Sequence, residues 1–197
     1  IPTILATFYT VFSQAWTLSA IKEFDGEDSD GFFGQTYGIY NAAIAMACSF
    51  VILFNIPLAK ILYAKDFFMA WNYSSVLLIS IMFNALTAFL GSIFSAVKDS
   101  KVIAFTTVVS AVCNIVLNIL LIPKFGALGA AIATAASYMV MWALRLGYAR
   151  KYIKMSVSIV KDCLAYVLLI LQVVFEHTEN HGYIGQIVIA FIIMFIY

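Results

Sequence analysis

Residues 114–138, NIVLNILLIPKFGALGAAIATAASY, decide how this chain is read. Two apolar arms of membrane length flank a four-residue break, Pro123-Lys124-Phe125-Gly126. The first arm carries Asn114 and Asn118 at i and i+4, which places both amides on one helical face. The second arm is crowded with small residues. Gly126, Ala130 and Thr134 form one i, i+4 row, and Gly129, Ala133 and Ser137 form another. Rows of this kind let a neighbouring helix approach closely, so Gly126, Gly129, Ala130 and Ala133 are expected to be helix-packing positions. The stretch is predicted to be a transmembrane hairpin closed by a tight Pro-Gly turn.

Composition agrees with a membrane chain. Of 197 residues, 64% are hydrophobic and 11% are charged. A soluble domain carries about 25% charged residues, and this chain could not cover a water-facing surface. The net charge of +1, with no basic stripe, argues against a nucleic-acid partner. Cys48, Cys113 and Cys163 fall in or beside apolar segments without a C-x-x-C pair, so they read as small core hydrophobes. No signal peptide is visible. The chain is apolar from Ile1 and ends inside an apolar run at Tyr197, as expected of a piece of a longer protein.

Working outward from the hairpin, spans of about 20 apolar residues separated by charge or by Pro and Gly give seven passages. They run roughly over 1–21, 33–62, 71–97, 102–122, 128–148, 159–175 and from 183 to the end. The second is longer than a bilayer needs and contains Pro57, which predicts a tilt or kink. The sixth is the weakest, and the seventh is cut short. Residues 1–158 are expected to form a five-helix bundle and 159–197 two additional helices. The fold class is therefore all-α, a polytopic transmembrane helical bundle.

Cations test this count. Connectors alternate sides, and one set holds Lys22, Lys98, Lys101, Arg145, Arg150, Lys151, Lys154 and Lys161. The other set holds only Lys60, Lys65 and Lys124. Basic residues concentrate on the cytoplasmic side of membrane proteins, so the first set is expected in the cytoplasm and the Pro-Gly turn outside.

Catalytic constellations are scarce. His177 and His181 stand at i and i+4 beside Glu176 and Glu179, but Asn180 and Gly182 disfavour a regular helix there. A solvated turn is expected, with no metal site and no cofactor. Asn72-Tyr73-Ser74 matches a glycosylation sequon at the membrane edge and reads as a chance match. Glu23, Asp25, Glu27, Asp28 and Asp30 lack the glycine and closing glutamate of a calcium loop, and they read as a solvated connector.

Polar chemistry inside the spans comes from amides: Gln14, Asn41, Asn55, Asn84, Asn114 and Asn118. Each can hold two helices together, worth about 0.6–2 kcal/mol. Together they also suit a helix surface facing a water-filled cavity. Arg145, near the end of the fifth span, has two readings: it snorkels to headgroups, or it faces inward to meet an anionic headgroup such as a phosphate. Gln14, Asn114, Asn118 and Arg145 are the candidates for a substrate cavity.

Residues 114–134 resemble the N-x-x-x-N-x-x-x-I-P-x-[YF]-G-x-x-G-A-A-x-A-T signature of Wzx-type polysaccharide flippases. These belong to the multidrug/oligosaccharidyl-lipid/polysaccharide (MOP) exporter superfamily with the MATE-like fold. Residues 11–23 and the segment Phe89-Leu90-Gly91-Ser92-Ile93 are similar to that family as well, so the likeness covers essentially the whole chain. It implies the second lobe of a MATE-like flippase fold, with an N-terminal lobe of the same protein as partner. It further implies movement of an undecaprenyl-diphosphate-linked oligosaccharide, a lipid-linked oligosaccharide, across the cytoplasmic (inner) membrane. That activity requires no covalent chemistry from the protein.

Two rivals remain. A drug/cation antiporter of the same fold would be expected to hold an Asp or Glu at depth, whereas Asp66, Asp99 and Asp162 read as span ends. A membrane-embedded glycan polymerase or ligase would need larger outer loops than 60–70, 123–126 and 176–182. A non-transporting scaffold has nothing in its favour.

Overall fold

The computed structural model describes residues 1–178 and 182–197, with the side chains of Lys65 and Asp66 excepted. The candidate metal pair with His181 and Glu179 therefore lies outside the described residues. Among the described residues seven α-helices follow one another: α1 (Pro2–Lys22), α2 (Phe32–Leu53), α3 (Asn55–Leu62), α4 (Trp71–Ala96), α5 (Ser100–Ala149), α6 (Ile159–Glu176) and α7 (Tyr183–Ile196). A short 3-10 turn, Lys65–Ala70, joins α3 to α4.

The opening stretch lies in α5, whose 50 residues would extend about 75 Å if straight, against a hydrocarbon core of about 30 Å. It folds back instead. Gly126 adopts φ 55° and ψ −132°, backbone angles that a side chain would strain, and Pro123 lies just before it. Antiparallel contacts mark the two arms: Ser110 Oγ donates to the Ser137 carbonyl at 2.8 Å, and Asn114 Nδ2 donates to Ser137 Oγ at 3.2 Å. The small-residue rows divide in role. A Cβ on Gly129 would sit 2.5 Å from the Leu121 carbonyl oxygen, so a glycine is needed for the arms to meet. Ala133 and Ser137 are buried in the same row, while Ala130 is half-buried. Gly126 has open space around its Cα and serves the turn rather than the packing.

The long second span is two helices. α2 ends at Leu53, and α3 restarts with Pro57 in its first turn, where a missing N–H costs nothing.

α4 is the central helix and packs against α1, α2, α3, α5 and α6. Its fit to α1 and α2 is aromatic: Trp16 stacks on Phe89 at 4.3 Å, and its Nε1 donates to the Phe89 carbonyl at 3.3 Å. Phe12 and Tyr40 stack at 4.1 Å beside them. In lipid these contacts act through dispersion and hydrogen bonding, because the surroundings are as apolar as the interior. By length and apolarity, Pro2–Lys22, Phe32–Leu53, Phe67–Ala96 and Ser100–Ala149 suffice to cross a membrane among the described residues.

The connectors at the cation-rich end are built. Asp28 accepts from the Phe33 and Gly34 amides at 2.9 and 3.0 Å, satisfying donors that α2 leaves open at its start. Asp25 accepts from the Ser29 hydroxyl and from the Glu27 and Ser29 amides, which holds its carboxyl below the usual range. The loop docks on the α5–α6 connector: Lys154 N donates to the Gly26 carbonyl at 3.0 Å, and Lys154 Nζ meets Glu27 at 2.7 Å. Asp99 caps α5 and accepts from the Tyr152 hydroxyl at 2.5 Å. The acidic run is thus a set of caps and turns.

Candidate functional site

Three polar stripes converge where α4 meets the two arms of α5. Asn84, Thr87 and Ala88 come from α4; Thr107, Ser110, Ala111 and Asn114 from the first arm; Thr134, Ser137, Tyr138, Met141 and Arg145 from the second. They line an open cleft of about 460 Å³. Each stripe follows helical spacing, as Thr107, Ser110 and Asn114 at i, i+3 and i+7 illustrate. Most of the hydroxyls bond back into their own helix: Thr87 Oγ1 to the Asn84 carbonyl at 2.7 Å, and Thr134 Oγ1 to the Ala130 carbonyl at 2.8 Å. That satisfies the donor while leaving an oxygen able to accept.

Arg145 is turned inward and is only 7% exposed. Its Nη1 donates to the Thr87 carbonyl at 2.7 Å, Nε to Thr106 Oγ1 at 3.2 Å and Nη2 to Thr107 Oγ1 at 3.2 Å. Gly91 makes room for it, since a Cβ there would lie 3.0 Å from Nη1. Among the described residues the ion pairs are Lys22–Glu23 and Lys154–Glu27, so no carboxylate neutralises the guanidinium. A buried cation without a counter-ion is costly and marks a site that gains when an anion arrives.

The amides separate. Asn114 lines the cleft, and Asn118 lies a turn beyond, donating to Asn114 Oδ1 and to its carbonyl at 2.9 Å each. Asn84 lines it and donates to Tyr9 at 2.7 Å. Gln14 is exposed on α1 and is not among the lining residues. Asn41 and Asn55 lie elsewhere and join α2 and α3 to other helices. Sequence reasoning missed Thr87, Thr106, Thr107 and Ser110. Their spacing on one face was the signal, but Thr and Ser are common enough in membrane helices to hide it.

Two acids correct the expectation that none lies within the bundle. Glu176, expected in a solvated turn, closes α6 and is 1% exposed. Its Oε1 accepts from Asn55 Nδ2 at 2.7 Å, and its Oε2 from the Ser75 hydroxyl. Asp162, expected at a span end, is 3% exposed and accepts from the Tyr197 hydroxyl at 3.0 Å. Both were misplaced because depth depends on what packs around a helix end.

The chemistry available is recognition. No group of three or more His, Cys, Asp or Glu is placed to hold a metal among the described residues. A guanidinium, amides and hydroxyls offer hydrogen bonds to a phosphate or sugar.

Comparison with known proteins gives the same direction. The chain is 28% identical over 103 residues to the probable low-salt glycan biosynthesis flippase Agl15 of Haloferax volcanii, covering 52% of this chain and 22% of that protein. It is 44% identical over 46 residues to the uncharacterized membrane protein MJ1068 of Methanocaldococcus jannaschii, covering 23% and 9%. The chain thus spans about a fifth or less of these relatives. Its fold matches the lipid II flippase MurJ in an inward closed conformation with a TM-score of 0.70 and 15% identity, over 98% of this chain and 43% of that one. The family model for the lipid II flippase MurJ matches residues 20–192. With its hairpin, its polar cleft and a match over most of its length, the chain belongs to the MurJ family of lipid II flippases.

Proposed function

We propose that the full chain carries a polyprenyl-diphosphate-linked oligosaccharide across the cytoplasmic membrane, with this lobe forming one wall of the passage. The observation that carries the reading is Arg145: a buried guanidinium, held by neutral acceptors, at the edge of a cleft of hydroxyls and amides. A diphosphate is the ligand whose charge and acceptor oxygens that group would meet. A glycan cannot enter hydrocarbon without losing its hydrogen bonds, and a polar cleft offers replacements. Membership of a flippase family and the likeness to a glycan flippase support the cargo class. The Wzx-type signature points to an oligosaccharide unit, and the family model points to lipid II. Both cargoes share the polyprenyl diphosphate.

On this reading the cation-rich connectors face the cytoplasm, and an N-terminal lobe covers the open side of α5. The test is flipping of a fluorescent polyprenyl-diphosphate glycan in vesicles containing the full chain. Arg145→Gln should lower the rate at least tenfold while Arg145→Lys retains part of it. Equal rates in both variants and the parent would sink the reading.

The antiporter reading regains one argument from Asp162 and Glu176, which are buried acids. Neither lines the cleft, and coupled efflux of a cationic dye by the same vesicles would favour it.

A further inference from the structure

Asp162 is set apart from the cleft and from every ion pair among the described residues. One carboxylate oxygen, Oδ1, accepts from Tyr197 at 3.0 Å. The other, Oδ2, is buried and has no hydrogen-bond partner among the described residues. Behind Oδ1 runs a directed chain of donors: Tyr166 to Asn41 Oδ1 at 2.9 Å, Asn41 Nδ2 to the Tyr197 oxygen at 3.0 Å, and Tyr197 to Asp162. It joins α6, α2 and α7. Tyr166 also packs edge-on against Trp142, three residues before Arg145 on the second arm of α5, with ring centroids 5.4 Å apart.

The carboxyl group borders a recess of about 520 Å³ at the cation-rich end, together with Gln35, Gly38, Ser156, Ser158 and Lys161. No charged residue of α2, α4 or α7 can face it, because those helices contain none. The titratable groups around it are Tyr37 of α2, Tyr197 after α7, and Tyr166, Cys163 and the exposed Lys161 of its own helix. Lys154 of the adjoining connector is engaged with Glu27.

We propose that Asp162 is a proton-binding site, filled and emptied through this recess, whose occupancy sets how tightly α6 and α7 are held to α2. The donor chain supplies Oδ1 with a hydrogen bond and leaves Oδ2, which has no donor among the described residues, as the atom that takes the proton. The step is an addition: a proton from water forms an O–H bond at Oδ2, no bond in the protein breaks, and the group passes from anion to neutral acid. A proton is the ligand that reaches an oxygen so enclosed. Without it a buried anionic oxygen lacks a donor, which weakens the docking of the helix that carries it.

The experiment needs no cargo and stands independently of the transport reading. Infrared difference spectra of the full chain in lipid would be recorded from about pH 5 to about pH 9, the range bracketing physiological titrations. A carboxylic-acid band that comes and goes with pH, vanishes in Asp162→Asn and has a displaced midpoint in Tyr197→Phe is the expected result. Hydrogen exchange of α6 and α7 should follow the same midpoint in the parent and lose its pH dependence in Asp162→Asn. A band unchanged in Asp162→Asn, or no pH-dependent band in the parent, overturns the proposal.

Discussion

The guanidinium of Arg145 donates to the backbone carbonyl of Thr87 at 2.7 Å across the α4–α5 interface, and among the described residues no acid pairs with it. The remaining contacts are hydroxyls, so the charge is positioned without being neutralised. The pocket that allows this depends on Gly91, whose missing side chain leaves the space that Nη1 occupies.

Gly91→Val should therefore displace the guanidinium while leaving its charge in place. A charge-assisted hydrogen bond is worth about 1.5–3 kcal/mol, and its loss should weaken binding of a pyrophosphate-bearing lipid by about tenfold or more. Isothermal titration of the full chain in detergent checks this. Unchanged affinity would separate Gly91 from the site.

The two turn glycines should fail differently. Gly129→Leu places atoms where the Leu121 carbonyl stands, so the arms of α5 separate and yield of folded protein falls. Gly126→Ala meets open space but takes on strained backbone angles, at a cost of about 1–3 kcal/mol. Thermal unfolding in detergent distinguishes them: a modest shift for Gly126→Ala, little folded protein for Gly129→Leu.

At the opposite end, Glu176 joins α6 to Asn55 of α3 and Ser75 of α4. Asn55 Nδ2 keeps the Trp71 carbonyl and Ser75 Oγ as acceptors, but Glu176→Leu takes from the buried Ser75 hydroxyl the carboxylate it donates to, which should cost about 1–3 kcal/mol. Glu176→Gln keeps one acceptor and should cost less. Melting temperatures in the order parent, Gln, Leu are expected, and no difference would show the cluster to be energetically silent.

The Asp99–Tyr152 contact gives a pH dependence whose sign follows from its cause. The Tyr152 hydroxyl holds the Asp99 carboxyl below its ordinary range. A group lowered in the folded state contributes stability above the unfolded value of about 3.9, and loses it as pH falls through the folded value. Tyr152→Phe should therefore increase hydrogen exchange at the start of α5 at neutral pH and make no difference in strong acid. Lys154, held above its ordinary range by Glu27, behaves in the reverse sense and loses its contribution only in strong base.

Much of this molecule was legible in its residues. The hairpin at Pro123–Gly126 and the all-helical membrane class follow from apolar length and from Pro and Gly, which act locally on the backbone. Against the seven expected passages, only four helices are long and apolar enough to cross a membrane among the described residues. Arg145 and Asn114 were visible as polar residues in apolar surroundings. Which way they face was not, because one sequence position fits a snorkelling arginine and a buried one equally well. Tertiary packing decided that Arg145 turns toward Thr87, that Asn41 and Asn55 tie helices together, and that Glu176 and Asp162 lie inside the bundle. The physical reason is common to all of them. A span's apolarity is a property of its own residues, whereas the depth and partner of a polar side chain belong to helices distant in sequence.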